Sequence, residues 1–212
     1  MTPDPALLQR IGDSLRSDLR PVHPLPSTKA IAATLSLVFA SAALIGATAL
    51  GWFGFQRLTA IAIAVIFPVL AALAVMAANA SATAMIPGSP RPFHPAVLLL
   101  IAWLGIEIVF SLVFHDYSTG QFVHQGMVCL RAGLLWAAPT GIVVWLVIRR
   151  GFAVDRGAAG IAVGTLAGLA GLTVLELHCP NLRLPHIAVW HLAVLPIAAL
   201  VGQMTLSSVR RK

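Results

Sequence analysis

The residue types that could do chemistry are concentrated in two stretches of the chain. Both cysteines lie there, together with five of the seven histidines. The first stretch contains His115, Asp116, His124 and Cys129, and the second contains His178, Cys179, His186 and His191. Thiols beside imidazoles can be oxidised to a disulfide or can bind soft and borderline metal ions such as Cu(I) and Zn(II).

The composition indicates the class of protein that positions these residues. Of the 212 residues, 58% are hydrophobic and 10% are charged, and the mean hydropathy is +0.90. Soluble domains carry about 25% charged residues. We therefore expect an all-α integral membrane protein that lies in a lipid bilayer. Its net charge of +7 is attributed to topology signals rather than to direct nucleic-acid binding.

Six apolar runs are long enough to cross about 30 Å of hydrocarbon at 1.5 Å per residue. Their expected bounds are 30–50, 58–86, 96–114, 130–148, 158–178 and 186–207, with glycine and proline between them. The chain thus divides into an N-terminal tail (1–29), a six-helix transmembrane domain (30–207) and a basic C-terminus (208–212). Glycines at near four-residue spacing in the fifth run are typical of close helix packing. The partner of this helix is either another helix of the same chain or the same helix in a homodimer.

Lysine and arginine residues indicate which side of the membrane each loop occupies. With six spans, eleven of the 14 lie on the side of both termini, whereas Arg57, Arg131 and Arg183 lie on the other side. The positive-inside rule then places both termini in the cytoplasm of a bacterial inner membrane. Loops one, three and five face outward with both cysteine-containing stretches, where disulfides form and metal ions arrive.

Three interpretations of the outer cysteines and histidines are open. The histidines can anchor helix ends at the interface while the cysteines pack as small hydrophobic residues. Alternatively, Cys129 and Cys179 form a redox pair, since antiparallel neighbouring helices can bring two Cα atoms within the ~6 Å of a disulfide. The third interpretation is a metal site. Because adjacent residues diverge on a helix, its ligands would come from two loops, with these candidates: His178, Cys179, Cys129, His186, His191 and His124.

Two carboxylates lie within the apolar runs, and ionisable groups in such places are costly and often functional. Glu176, near the outer end of the fifth helix, has His178 two residues away. Either a structural hydrogen-bonded pair or a part in sensing is expected for it. Glu107 lies deeper, in the third helix, where a carboxylate can serve proton coupling.

The N-terminal tail contains an amphipathic pattern. Asp4 followed by Pro5 is typical of a helix start, and Pro21 ends the pattern. The apolar residues between them recur at helical spacing: Leu7, Leu8, Ile11, Leu15 and Leu19. A short helix cannot bury such a face alone, so we expect it to lie on the membrane surface or to dock in a partner's groove.

Several segments together resemble the NrsF-type anti-sigma factor family of six-helix bacterial membrane proteins. They are Asp18-Leu19-Arg20-Pro21-Val22 and Pro24-Leu25-Pro26 in the tail, Cys129-Leu130-Arg131 and Arg149-Arg150-Gly151 in the fourth helix, and Leu177-His178-Cys179-Pro180 with Trp190-His191 downstream. Their order and the loops they occupy agree as well, and the resemblance covers most of the chain.

The resemblance implies that the cytoplasmic N-terminal segment sequesters an extracytoplasmic-function sigma factor. It also implies that Cys129 and Cys179 take part in sensing metal or oxidative stress, with a copper or zinc ion as a candidate signal and with no catalytic role. Similar proteins have an acidic, serine-containing stretch after the position of Pro180, and this chain has a different sequence there. The resemblance therefore does not identify the inducer. The residues expected to bind the sigma factor are Leu8, Ile11, Leu15, Leu19, Pro21 and Val22.

Two other classes of function are the alternatives to an anti-sigma factor. A thiol- or metal-handling membrane enzyme would need a Cys-x-x-Cys pair or further cysteines, whereas this chain has two, far apart. A small membrane transporter would need inverted repeats and several polar groups at the midplane. Glu107 and Asn79 alone do not supply them.

Overall fold

The computed structural model describes residues 4–17, 26–89, 93–151 and 153–208. Within these ranges the chain is helical and contains no β-strand. Its helices are α1 (Pro5–Ser17), α2 (Thr28–Leu50), α3 (Ala60–Ala84), α4 (Pro95–Val113), α5 (Phe122–Ile148), α6 (Arg156–His178) and α7 (Leu184–Ser208). The last six are long and apolar enough to cross a membrane, which confirms the predicted architecture.

Polar side chains begin several of these helices. Oxygens of Ser27, Thr59 and Asp155 accept hydrogen bonds from the backbone N–H three residues ahead, at 2.8–3.2 Å. Asp4 accepts a similar bond of 2.9 Å at the start of α1, as the sequence predicts. These bonds satisfy N–H groups that the first helical turn leaves without a partner.

One helix, α6, forms the centre of the bundle. Almost every side chain from Ala158 to Leu177 is buried, and α6 packs against α2, α3, α4, α5 and α7. A methyl group added at Gly164 would overlap the backbone of α7, and one added at Gly171 would overlap the backbone of α5. The glycine stripe seen in the sequence therefore packs α6 against its neighbours within the chain.

Loops one, three and five lie at the same end of the bundle, here called the loop end. The N–H of Gly54 donates to the carbonyl of His178 (3.0 Å), and the N–H of Leu184 donates to the carbonyl of Asp116 (2.8 Å). The Arg183 guanidinium lies 3.7 Å from the Asp116 carboxylate. These contacts agree with the alternating crossings that the sequence predicts.

The predicted start of the fourth membrane helix was wrong, because α5 begins at Phe122 rather than near residue 130. His124 was expected in or beside the third loop, but at the loop end a polar side chain is compatible with a helix that extends beyond the apolar run. Gly126 also lets the indole of Trp190 pack directly against this turn. All other predicted helix bounds agree with the structure to within two residues.

Candidate functional site

Two thiols and two imidazoles meet at the loop end and form what we call the thiol–imidazole cluster: Cys129, Cys179, His186 and His191. One ligand atom from each residue lies within 4.8 Å of the others. The two Sγ atoms are 3.4 Å apart, and Sγ of Cys179 is 3.6 Å from Nε2 of His186. Cys129 is half-buried, whereas the other three side chains are buried.

A π-helical turn in α7 brings the two histidines together. This helix comprises a short start (Leu184–His186), a π-helical turn (Ile187–His191) and a regular α-helix (Val194–Ser208). Five residues complete about one turn of a π-helix, so both rings point to the same side. Their centroids are 5.1 Å apart and their planes are nearly perpendicular. The cluster thus combines Cys129 from the first cysteine-containing stretch with Cys179 and both histidines from the second, in agreement with the expectation of a site built from two loops.

Both cysteines are held at ends of packed helices. Cys129 lies two turns into α5, and Cys179 directly follows α6, where its N–H donates to the carbonyl of Leu175 (2.7 Å). Both thiols are free, because a disulfide requires its sulfurs to be about 2.05 Å apart. The hydrogen bond with Cys129, together with burial, raises the pKa of the Cys179 thiol.

Glu176 and His191 form a buried pair beside the cluster. Nδ1 of His191 lies 2.7 Å from Oε1 of Glu176, and each side chain is 1% exposed. With Glu176 as a carboxylate, which can only accept, Nδ1 donates this hydrogen bond, and in the neutral ring the lone pair is then on Nε2. Within the described residues, Nε2 of His191 and Nδ1 of His186 have no hydrogen-bond partner. Buried polar atoms are usually paired, so packing alone does not explain this arrangement.

The structure brings together four of the six residues predicted for a metal site. His178 is outside the cluster, because its Nδ1 pairs with the carbonyl of Gly51 at 3.2 Å. His124 is exposed on α5. Of the two expectations for Glu176, the structural pair with His178 was wrong: side chains two residues apart diverge on a helix, and the carboxylate reaches His191 instead.

The contact of Trp190 with α5 is a feature of the site that the sequence did not reveal. Its indole packs on Gly126, one turn before Cys129, and its ring centroid lies 5.5 Å from that of Phe122. Because any larger residue at 126 would displace the indole, this glycine determines how closely α7 approaches α5 beside the cluster. The available signal was a glycine close before Cys129 together with a tryptophan adjacent to His191.

The residues predicted to bind a partner lie in α1, which buries none of its side chains. Leu8, Ile11 and Leu15 share one face and are 55%, 47% and 64% exposed. This helix precedes the N-terminal end of α2, which is the end of the bundle opposite to the loop end. The other three predicted partner-binding residues lie outside the described residues: Leu19, Pro21 and Val22.

The polar residues considered for transport are not part of the cluster. Glu107 is half-buried in α4, and its Oε2 has no hydrogen-bond partner within the described ranges. Asn79 donates to the carbonyl of Val75 in its own helix at 2.8 Å. The thiol–imidazole cluster is therefore the strongest candidate site in this part of the chain.

Comparison with known proteins gives one match. The model of the NrsF family, described as negative regulator of sigma F, matches residues 15–211. The match begins inside α1 and includes all six membrane spans and all four residues of the cluster. Neither a search of curated proteins nor a search of solved structures found a match.

Proposed function

Because the chain belongs to the NrsF family of negative regulators of sigma F, we propose that it is a membrane anti-sigma factor for an extracytoplasmic-function sigma factor. Membership by itself establishes negative regulation of a sigma factor. In the proposal, the N-terminal segment holds that protein and the thiol–imidazole cluster receives the signal for release. The observation that supports it most is the exposed apolar face of α1. This helix comes before α2 in the chain, and α2 begins at the end of the bundle opposite to the buried thiols.

The face of α1 supports binding to a protein groove. Completely burying a leucine or isoleucine side chain stabilises by about 1.5–3 kcal/mol. Leu8, Ile11 and Leu15 are about half exposed, so burying the rest of all three would contribute roughly 2–5 kcal/mol. On the polar face, Asp13 and Arg16 form an exposed ion pair of 3.8 Å. Such mixed charge suits a protein partner better than adsorption to an anionic lipid surface.

The distribution of basic residues supports an orientation with both termini in the cytoplasm of a bacterial inner membrane. Eleven of the 14 lysines and arginines lie on the side of the termini. In this orientation α1 meets cytoplasmic proteins, while the cluster meets ions and oxidants from outside. The signal then has to cross the membrane through the packing of the helices.

The helices that carry the cluster are well placed to transmit such a signal. α5, α6 and α7 each contribute to the cluster and pack on one another through glycine contacts. Since no side chain separates Gly171 from α5 or Gly164 from α7, movement at one end shifts the backbones along the bundle. For tenfold weaker binding of the sigma factor, its binding free energy needs to differ by only about 1.4 kcal/mol between the states of the bundle before and after the signal.

Two chemical events at the thiols would change this packing. In oxidation, the two thiols lose two protons and two electrons to an oxidant and form one S–S bond, which draws Cys129 toward Cys179. In metal binding, each thiol loses a proton and its sulfur binds the ion. Both events join the ends of α5 and α6, and neither requires a catalytic step.

The proposal is tested with full-length variants in cells that carry a reporter gene under control of the sigma factor. Replacing Ile11 and Leu15 with aspartate should give constant high expression and loss of co-purification with the sigma factor. The control is aspartate at Gln9 and Ser17, which adds the same charge on the polar face and should leave repression intact. Equal repression by both variants, at equal protein levels, would contradict binding through the leucine face.

The sensing part is tested in the same cells with both cysteines replaced by serine. We expect repression without stress to persist, because α1 is unchanged, and induction by oxidants or thiol-binding metals to be lost. Replacing exposed His124 with alanine is the control and should respond normally. If the double cysteine variant is induced as strongly as the unmodified protein, the cluster is not the sensor.

A further inference from the structure

The thiol–imidazole cluster has the ligand number, ligand types and spacing of a closed tetrahedral metal centre. In zinc sites, Zn–S bonds are about 2.3 Å and Zn–N bonds about 2.0–2.1 Å, which places neighbouring ligand atoms roughly 3.3–3.8 Å apart. The distances between the two Sγ atoms and between Sγ of Cys179 and Nε2 of His186 are 3.4 and 3.6 Å. The four ligand atoms lie within 4.8 Å of one another, so the longest of the remaining distances would have to shorten by about 1 Å for all four to surround one ion.

We infer that Cys129, Cys179, His186 and His191 form a four-ligand site for Zn²⁺, with Glu176 as the residue that orients His191. Two sulfur and two nitrogen ligands in tetrahedral arrangement favour zinc among the common divalent ions. The inference rests on the proposed function, because it specifies the chemical state of the same sensing cluster. It adds a resident ion and assigns distinct parts to the two histidines and the carboxylate.

The buried carboxylate explains how His191 is prepared to bind an ion. Its hydrogen bond with Nδ1 leaves Nε2 as the donor atom, and Nε2 is one of the unpaired buried atoms within the described residues. A carboxylate that holds the outer nitrogen of a metal-binding histidine fixes the ring orientation and raises its basicity. His186 presents Nε2 to Sγ of Cys179, and its Nδ1 has no hydrogen-bond partner within the described residues.

The π-helical turn is the structural device that places both imidazoles at the sulfurs. In a regular α-helix, His186 and His191 would point in different directions, and only one ring would reach Cys179. Departures from regular helix geometry persist where the surroundings or a function require them.

Charge also suits the position of the site. Zn²⁺ displaces one proton from each thiol, and the two resulting thiolates balance its charge, so the ion and its sulfur ligands add no net charge to that of the Glu176 carboxylate beside them. The ion would connect α5, the end of α6 and the start of α7. Because Zn²⁺ and a disulfide require the same two sulfurs, each excludes the other.

The experiment uses the full chain purified in detergent with reduced thiols, and Co²⁺ as the coloured probe for Zn²⁺. We expect one ion per chain, sulfur-to-cobalt charge-transfer absorption, tetrahedral d–d bands, and complete displacement by one equivalent of Zn²⁺. Glu176→Gln should bind Zn²⁺ about 10–100-fold more weakly while keeping both thiols titratable. His124→Ala and His178→Ala are matched controls and should bind with unchanged affinity, because neither side chain is in the cluster.

Several outcomes would overturn the inference. Absence of charge-transfer absorption, in protein whose two thiols react with a thiol reagent, excludes the site. So does unchanged affinity in Cys179→Ser or in Glu176→Gln, provided that thermal unfolding shows both variants to be folded. A site that binds Cu(I) but not Zn²⁺ refutes the assignment of the ion. A last outcome separates this inference from the proposed function. If the unmodified protein does not bind Zn²⁺ but the double cysteine variant loses induction, the inference is overturned, and the proposed function stands with oxidation as the signal.

Discussion

The contact between α5 and α6 at Gly171 gives a sharp test of how the bundle is packed. An alanine methyl group there would overlap the carbonyl oxygen of Gly133 and lie 3.2 Å from Cβ of Ala137. A backbone carbonyl cannot rotate away, so the two helices have to separate. Overpacking of this kind costs about 1–3 kcal/mol, while the better helix propensity of alanine returns up to about 1 kcal/mol. We expect Gly171→Ala to lower the free energy of unfolding by about 1–2 kcal/mol.

The assay compares denaturant or thermal unfolding of the detergent-solubilised variant with that of Gly141→Ala. Gly141 also lies between α5 and α6, but its added methyl group would meet only Cβ of Ala167, at an ordinary contact distance of 3.5 Å. We expect this control to equal or slightly exceed the unmodified protein in stability. Gly171→Ala should also slow the oxidation of Cys129 with Cys179, since it separates the helices that carry them. If both variants unfold like the unmodified protein, α5 and α6 do not approach as closely as described.

The remaining predictions concern the thiols and the orientation of the chain. The two Sγ atoms lie 3.4 Å apart and Cys179 is buried, so mild oxidation should form a disulfide within one chain and consume both thiols. Disulfide-linked dimers as the main product on a non-reducing gel would contradict this geometry. In a chain without native cysteines, Thr119→Cys should react with an impermeant maleimide in intact cells, whereas Ser17→Cys should react only after permeabilisation. Labelling of both positions in intact cells would place α1 and the loop end in one compartment.

The membrane spans could be predicted because their signal is local. A run of apolar residues ends where a glycine, a proline or a charge appears, and five of the six predicted spans agree with the structure to within two residues. The exception, the start of α5, depended on a contact between distant parts of the chain. Residues 122–129 form a helix that packs against Trp190, and nothing in their own polarity indicated this.

The candidate site could be predicted only as a set of residues. The sequence pointed to both cysteines and to His186 and His191, but it offered His124 and His178 on equal terms. A π-helical turn cannot be read from the spacing His186-x-x-x-x-His191, because a regular helix has the same letters. The partner of Glu176 was missed for a related reason: proximity along the chain favoured His178, whereas the carboxylate points toward α7.

The amino-acid sequence alone determined that this is a six-span membrane protein with a leucine-faced helix before its first span. These properties follow from the length and polarity of single segments, each of which responds separately to lipid and water. Tertiary structure decided which thiols and imidazoles meet. That outcome depends on the distances and rotations of α5, α6 and α7, which are set by glycine contacts between backbones far apart in the sequence.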